Sequence, residues 1–344
     1  MKKFTQLALV SSIAISANAM AMQAMDDAAL SASTGQDGIN IGIGISKVTI
    51  DKLFVHDNDG LTDTGLGGTS TAGAIEIRGA SDTNKSAITL TNGQAYSNGD
   101  FGVYVGANYS NNGAFLLSTK NLADLQIDSD AGTSAKGGAF LNIAAQVSGL
   151  EIHLGEIGVT ASGTAGSGTN AGTIRRGGDD SNYNAILSGL SIKTGKMAAN
   201  VQLGAAPQGA MIKLNTTMIG GLEIANLGIL DNSTKLGKGD GSSDADRAAG
   251  VIHLDSIKVA NTGKTDLDIK ANVNVYGASS TTGKGFIRII NEDTGGIDNY
   301  VAGIHLGSKT AASIGDVEIQ GLRTYYSPAL GQYTAGSVLT VSGR

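Results

Sequence analysis

The tripeptide Ile152-His153-Leu154 belongs to a pattern that recurs along the chain and decides the predicted fold. A segment of the form apolar-x-apolar, followed by Gly or Asp, begins at Val103, Ile152, Val201, Ile252 and Ile304. The starting points are therefore 49, 49, 51 and 52 residues apart. Alternating apolar and polar residues are typical of a β-strand with one buried face, and a fixed spacing of this length is typical of repeat architectures. The pattern predicts short strands that recur along the chain.

A second pattern halves this spacing. The segments Gly113-Ala114-Phe115-Leu116 and Gly138-Ala139-Phe140-Leu141 lie 25 residues apart, and Gly209-Ala210-Met211-Ile212 begins a third, less regular copy. One coil of about 25 residues cannot bury its own aliphatic face, whereas stacked coils shelter one another. We therefore expect an all-β fold for residues 38–344, an elongated, glycine-rich β-solenoid-like repeat array. A large β-sandwich with coincidental spacing is the alternative.

Composition agrees with a β-rich fold and excludes several classes of protein. The 344 residues include 51 Gly and 2 Pro; glycine suits corners that need a positive φ, and proline cannot donate to a strand ladder. Because there is no Cys, the chain has no disulfide framework, iron–sulfur cluster or Cys-liganded zinc site. The net charge of −6 argues against a general affinity for nucleic acid, which requires a basic surface.

The N-terminal residues predict export. Lys2 and Lys3 form a positive region, an apolar stretch follows over residues 7–15, and Ala17-Asn18-Ala19 has the small-x-small pattern of a cleavage site. We interpret residues 1–19 as a signal peptide and residues 20–37 as a short helical leader. No later stretch is apolar for the roughly 20 residues that a membrane-spanning helix needs, so we expect no transmembrane span.

The leader carries a recognisable signature. Residues 27–39 read Asp-Ala-Ala-Leu-Ser-Ala-Ser-Thr-Gly-Gln-Asp-Gly-Ile. This string resembles the N-terminal Leu-Ser-x-x-Thr-Gly-Gln signature of a group of exported gammaproteobacterial surface proteins that includes pilus-system (Fil-type) proteins. The resemblance implies a place at the cell surface, in the extracellular space, or in the periplasm or outer membrane, with other surface or pilus-system proteins as partners. The double-glycine leader of bacteriocins has a similar Leu-Ser spacing, but Gln36 follows Gly35 here.

One strand is predicted to pair with a neighbouring molecule. Ile39, Ile41, Ile43 and Ile45 alternate with small or polar residues directly after the leader. Such an alternating strand at a sheet edge would offer unpaired backbone groups to a second chain. We therefore regard Ile39–Ile45 as a candidate for self-assembly through edge strands.

Candidate metal-binding residues are few. His153, His253 and His305 occupy identical Ile-His-Leu tripeptides, and strand alternation predicts that these histidines face outward. In stacked coils they would lie too far apart to share one ion. The acidic loops at residues 57–63 and 240–246 resemble calcium loops but lack the Glu of an EF-hand. We therefore predict no cofactor and no metal site, with structural calcium as the alternative for these loops.

No catalytic constellation is visible in the sequence. The chain has no Gly-x-Ser-x-Gly elbow, no phosphate loop and no His-Glu-x-x-His motif. Arg175-Arg176 is predicted to be solvated, and the insertions at residues 163–182 and 235–247 are predicted to be loops on one face. The tyrosines from Tyr325 to Tyr333 either anchor a partner or cap the array.

These observations predict an exported, non-enzymatic surface protein that is a component of, or associated with, a pilus- or filament-like system in attachment. An adhesin or glycan-binding tip module is the alternative. A polysaccharide-active enzyme on a β-helix would instead require several acidic and basic side chains in one groove.

Overall fold

A computed structural model describes residues 38–239, 243, 245–279 and 283–343. The predicted signal peptide (residues 1–19) and leader (residues 20–37) lie outside this range. Asn40–Arg344 groups as one compact unit. Within the described residues, no helix is long and apolar enough to cross a membrane.

The regular secondary structure of the described chain is almost entirely β-strand. They are β1 (Ile39–Ile43), β2 (Lys47–Ile50), β3 (Lys52–Asp57), β4 (Gly73–Arg78), β5 (Ala87–Thr89), β6 (Ala95–Ser97), β7 (Val103–Ala107), β8 (Ala123–Asp130), β9 (Phe140–Val147), β10 (Leu150–Leu154), β11 (Glu156–Ala161), β12 (Asn184–Leu187), β13 (Leu190–Lys193), β14 (Met197–Gly204), β15 (Ile212–Met218), β16 (Leu222–Asp231), β17 (Gly250–Asn261), β18 (Leu267–Tyr276), β19 (Phe286–Asn291), β20 (Ile297–Leu306), β21 (Val317–Leu322), β22 (Tyr325–Tyr326), β23 (Thr334–Ala335) and β24 (Ser337–Ser342). One short helix, α1 (Ser110–Gly113), and 3₁₀ turns at Thr64–Leu66, Ser134–Lys136, Gly168–Asn170, Asp180–Asn182 and Asn232–Thr234 complete the secondary structure.

Two large sheets dominate the fold. Sheet A has eight strands in the order β1-β8-β9-β14-β15-β18-β19-β24. Sheet B contains twelve strands, several of which follow one another in line: β2 continues into β3, β10 into β11, and β12 into β13. The strands β4 and β7 also share one row, because β4 pairs with β3 and β11 while β7 pairs with β2 and β10. Sheet B is therefore eight rows wide, from the β2–β3 row to β21.

The chain alternates between the sheets two rows at a time, where a row is one strand or two strands in line. It forms β8 and β9 in sheet A, β10 to β13 in sheet B, β14 and β15 in sheet A, and β16 and β17 in sheet B. Every strand pair with a defined register is antiparallel. The predicted solenoid is therefore not shown, because its stacked coils would place similar segments side by side in parallel. The predicted all-β class is confirmed, and the β-sandwich alternative fits these sheets.

Each sheet carries a ladder of aliphatic side chains in cross-strand register. In sheet B the ladder is Val48, Val105, Ile152, Ile192, Ile224, Ile257, Val301 and Val317. In sheet A it is Ile127, Ile143, Val201, Ile212, Val273, Ile289 and Leu339. Directly opposed β-branched and aliphatic residues stabilise antiparallel pairs, by roughly 0.2–1 kcal/mol each. The recurrent apolar residues of the sequence are thus cross-strand neighbours on adjacent antiparallel strands.

The opposite face of sheet B is polar, and residues 79–102 cover part of it. This cover segment connects β4 to β7 and contains β5 and β6. Its Tyr96 packs against Tyr104 and His153 of the sheet, with ring centroids 5.0 and 5.3 Å away. Leu90 completes this buried cluster. Burial raises the pKa of the Tyr96 hydroxyl to about 12. The cover segment therefore places an apolar lid over polar strand residues.

Candidate functional site

Three glutamates lie buried on the polar face of sheet B. Glu76, Glu151 and Glu156 come from β4, β10 and β11, and none is more than 2% exposed. Glu76 Oε1 lies 3.0 Å from Lys52 Nζ on the neighbouring strand, while its Oε2 has no hydrogen-bond partner among the described residues. Buried carboxylates are costly unless they are paired. The cover segment contacts Glu151 through Thr91 and Glu156 through Ser81 and Asn84, and the three buried carboxylates mark this face as the candidate functional region.

Glu151 and His153 form a buried pair that holds the cover segment. Glu151 Oε1 lies 3.0 Å from His153 Nε2, and Oε2 accepts hydrogen bonds from the backbone and hydroxyl of Thr91 at 2.8 and 2.6 Å. His153 Nδ1 lies 2.6 Å from Ser191 Oγ. Burial alone would raise the pKa of Glu151, but the hydrogen bonds from His153 and Thr91 outweigh burial and leave this pKa below its ordinary value. The pair therefore favours the charged carboxylate.

Glu156 reaches the same covered face through an interruption at Gly155. Strict alternation would place Glu156 opposite Glu151 and His153, but Gly155 separates β10 from β11. The Gly155 N–H donates to the Gly102 carbonyl at 2.9 Å, and a Cβ at Gly155 would lie 2.1 Å from the Arg78 carbonyl oxygen. Glycine permits this close approach of two backbones.

A cleft of about 450 Å³ opens above Glu156. The Glu156 Oε2 atom accepts hydrogen bonds from Ser81 Oγ and Asn84 Nδ2, both on the cover segment, at 2.7 and 2.5 Å. Three lysines also line the cleft: Lys235, Lys238 and Lys309. The cleft therefore joins residues from distant parts of the chain around one sheltered carboxylate.

Arg78 and Tyr183 form one wall of the cleft. The Arg78 guanidinium carbon lies 3.3 Å from the centre of the Tyr183 ring, a cation–π arrangement. Arg78 Nη1 also donates to Asp180 Oδ1 at 2.8 Å, and Arg78 Nε lies 3.9 Å from Glu156 Oε1. Burial, followed by the charge of Glu156, raises the pKa of the Tyr183 hydroxyl. These contacts hold the Arg78 charge and the neutral phenol in place at the cleft.

The predicted orientation of the histidines is wrong. His153 is 1% exposed and His253 is 6% exposed, whereas their neighbours on the aliphatic face are less covered. The predicted separation is also wrong for one pair, because His253 and His305 are directly opposed on β17 and β20 with ring centroids 5.8 Å apart. Both Nε2 atoms approach the carboxylate of Asp255, at 3.4 and 3.3 Å. Antiparallel pairing of β17 with β20, which are separated in the chain by β18 and β19 of sheet A, brings together residues that a solenoid would separate.

These two histidines have opposite electrostatic environments. Burial lowers the pKa of His253, and the nearby His305 and Lys309 act in the same direction, against Asp255. The hydrogen bond to the Ala311 carbonyl, followed by the one to Asp255, raises the pKa of His305. No group of three or more His, Asp or Glu side chains suited to a metal ion is found among the described residues.

The other sequence candidates have mostly structural contacts. In the loop at residues 57–63, Asp63 caps a 3₁₀ turn and Asn58 accepts a hydrogen bond from Arg176. Arg176 also donates to the Gly163 carbonyl at 2.9 Å, so it is not merely solvated as predicted. In the second acidic loop, residues 240–242 and 244 lie outside the described range. Tyr325 and Tyr333 are 58% and 82% exposed.

Sequence reasoning missed the buried glutamates and Arg78. The available signal was the presence of charged residues inside aliphatic strands, as in Ala74-Ile75-Glu76-Ile77-Arg78. The alternation shows two faces but does not show which face another segment covers. The predicted loops at residues 163–182 and 235–247 do reach the same cleft, through Asp180 beside Arg78 and through Lys235.

A family model matches the N-terminal part of the chain. Residues 1–107 are similar to a family of unknown function (DUF6160). The matched region includes Glu76, Arg78 and the cover segment. No curated protein matches the chain, and no solved structure matches it.

Proposed function

We propose that this chain is an exported, non-enzymatic surface protein that serves in attachment, in association with a pilus- or filament-like system, and that its cleft binds an acidic saccharide. The cleft above Glu156 is the observation that carries the binding role. The N-terminal signature and the predicted signal peptide support export and the surface location.

The charge of the cleft favours an anionic ligand. Arg78, Lys235, Lys238 and Lys309 line it, and Glu156 is the only acidic residue among the described residues that line it. The chain as a whole has a net charge of −6, so the positive charge of the cleft lining is opposite in sign to the net charge of the chain. A concave site lined by one sign of charge concentrates ligands of the opposite sign.

The neutral lining residues favour a sugar. Ser81, Thr83, Asn84, Asn232 and Thr310 present hydroxyl and amide groups to the cleft. These groups both donate and accept hydrogen bonds, as sugar hydroxyls do. A saccharide that also carries carboxylates would satisfy the lysines, so an oligomer of uronic acids is the ligand class that fits both features.

An enzyme acting on polysaccharides is the competing function, because several charged side chains do converge here. Glycoside hydrolysis commonly uses two carboxyl groups on either side of the scissile bond. Of the described residues lining this cleft, only Glu156 is acidic, and it is engaged by Ser81 and Asn84. The arrangement therefore favours binding over cleavage.

Calorimetric titration of the mature protein with a galacturonic-acid oligomer tests the proposal. We expect saturable binding that weakens at high salt, and no binding of a neutral galactose oligomer. The Lys235→Glu/Lys238→Glu variant should bind at least about tenfold more weakly, a change of about 1.4 kcal/mol.

The matched control is Lys136→Glu, which changes an exposed lysine outside the cleft and should leave the affinity unchanged. Equal binding by the double variant and the native protein would contradict the proposed site. Chromatography of the incubated oligomer provides a second readout, because appearance of shorter products would overturn the non-enzymatic assignment. Recovery of the tagged protein in sheared surface filaments would support the pilus association, and recovery as a free periplasmic monomer would contradict it.

A further inference from the structure

Among the residues that the structure describes, both sheets end in strands that are paired on one side only. At one end of the sheets lie β1 of sheet A and the β2–β3 row of sheet B; at the other end lie β24 and β21. Within the described chain, β21 pairs only with β20, and β24 pairs only with β19. Such strands present unpaired backbone N–H and C=O groups, which are a template for pairing with another chain.

The aliphatic ladders become exposed at these same edges. The inner members of the sheet B ladder are half-buried, but Val48 and Val317 at its two ends are 39% and 43% exposed. In sheet A the last member, Leu339, is 57% exposed. The adjacent cross-strand row Val275, Ile287 and Val341 is also exposed. Within the described residues, these edges thus combine unpaired backbone groups with apolar side chains that have a cross-strand neighbour on one side only.

The number of rows determines how a second copy would dock. Sheet B has eight antiparallel rows, so its first and last rows run in opposite directions. A copy in the same orientation would therefore place its β2 antiparallel to β21 of the preceding copy. If Val317 pairs with Val48 and continues the ladder, Glu318 lies directly opposite Lys47 of the second copy. Both side chains are exposed, and opposite charges in directly opposed positions stabilise an antiparallel pair.

We propose that copies of this chain associate end to end, with β21 of one copy pairing with β2 of the next in the Val317–Val48 and Glu318–Lys47 register. This contact joins two different surfaces and repeats without closing, so it generates a filament. Pairing of β21 with β21 or β2 with β2 lacks this Glu–Lys complementarity. The inference deepens the filament association of the proposed function and is independent of saccharide binding.

Charge exchange tests the register. Purified mature protein should form end-to-end oligomers in sedimentation velocity and negative-stain microscopy as its concentration rises. Lys47→Glu and Glu318→Lys each place like charges opposite one another, so each variant should associate about threefold to thirtyfold more weakly. The double variant Lys47→Glu/Glu318→Lys should regain native assembly.

A mixture of the two single variants distinguishes head-to-tail association from symmetric pairing. The lysine introduced at position 318 of one variant would face the glutamate introduced at position 47 of the other, and at the alternate contacts native Glu318 would face native Lys47. The mixture should therefore assemble at concentrations at which neither variant assembles alone. Far-UV circular dichroism and galacturonate binding check that the variants are folded. A native protein that stays monomeric at every concentration, or assembly that neither charge variant weakens, would overturn the inference; loss of saccharide binding alone would not.

Discussion

Removal of the Glu151 side chain should be among the most destabilising single changes on the polar face of sheet B. Glu151 is 2% exposed and receives two hydrogen bonds from Thr91, while His153 lies on its other oxygen. In Glu151→Ala, the buried His153 and the half-buried Thr91 would both lose their partner. Removing one member of a buried pair costs about 3–5 kcal/mol of unfolding free energy.

Glu151→Gln should cost much less, about 1–2 kcal/mol. Its amide oxygen can still accept the two hydrogen bonds from Thr91. The amide nitrogen can donate to His153 Nε2 if the ring proton moves to Nδ1, where Ser191 Oγ can accept it. The difference in unfolding free energy between the Ala and Gln variants therefore measures the cost of leaving the Thr91 and His153 groups without an acceptor.

The advantage of native Glu151 over Gln should also depend on pH. Because the pKa of Glu151 is below its ordinary value of 4.5 in the folded chain, its contribution is fully present above about pH 4.5. It is lost as the pH falls through the folded pKa. The native protein and Glu151→Gln should then converge in stability.

Urea unfolding followed by far-UV circular dichroism measures these differences, since the chain has no Trp. Hydrogen exchange should show the largest loss of protection over residues 79–102, because Thr91 anchors the cover segment. Glu292→Ala, at an exposed position, is the control for removal of a carboxylate. A loss below about 1 kcal/mol for Glu151→Ala, or equal losses for Ala and Gln, would refute the reasoning.

Two further predictions concern backbone packing and histidine ionisation. Gly155→Ala should lower the unfolding free energy by about 1–3 kcal/mol, because its Cβ would overlap the Arg78 carbonyl. The control is Gly277→Ala, where a Cβ meets open space and the urea midpoint should stay nearly unchanged. Equal urea midpoints for the two variants would contradict the prediction. NMR titration should show His305 ionising above its ordinary pKa of 6.5 and His253 below it. Protonation of His305 thus stabilises the fold below pH 6.5, and this stabilisation is lost as the pH rises through its folded pKa. Protonation of the unfolded chain at His253 destabilises the fold as the pH falls below 6.5. A reversed order of the two transitions would show that the burial of His253 and the hydrogen bond from His305 to Ala311 are assigned wrongly.

The sequence alone determined that the chain is built from β-strands. Alternation over Ile39–Ile45 and in the Ile-His-Leu tripeptides is a local property of the backbone, because successive strand side chains point to opposite faces. The observed strands β1, β10, β17 and β20 lie at these segments. The 25-residue and 50-residue spacings did not determine which strands become neighbours, and the order in the two sheets is antiparallel rather than stacked.

Only the tertiary structure decided which face is buried and which residues meet. Alternation places His153 on the opposite face from Ile152, but it does not show whether that face is exposed to solvent or covered. The structure shows that it is covered, because Tyr96 of the cover segment packs against His153. The cleft likewise joins Arg78, Glu156 and Lys309, residues that no local pattern connects. Chain crossings between two sheets bring them together, and such long-range pairings depend on the packing of the whole sheet rather than on any short stretch of sequence.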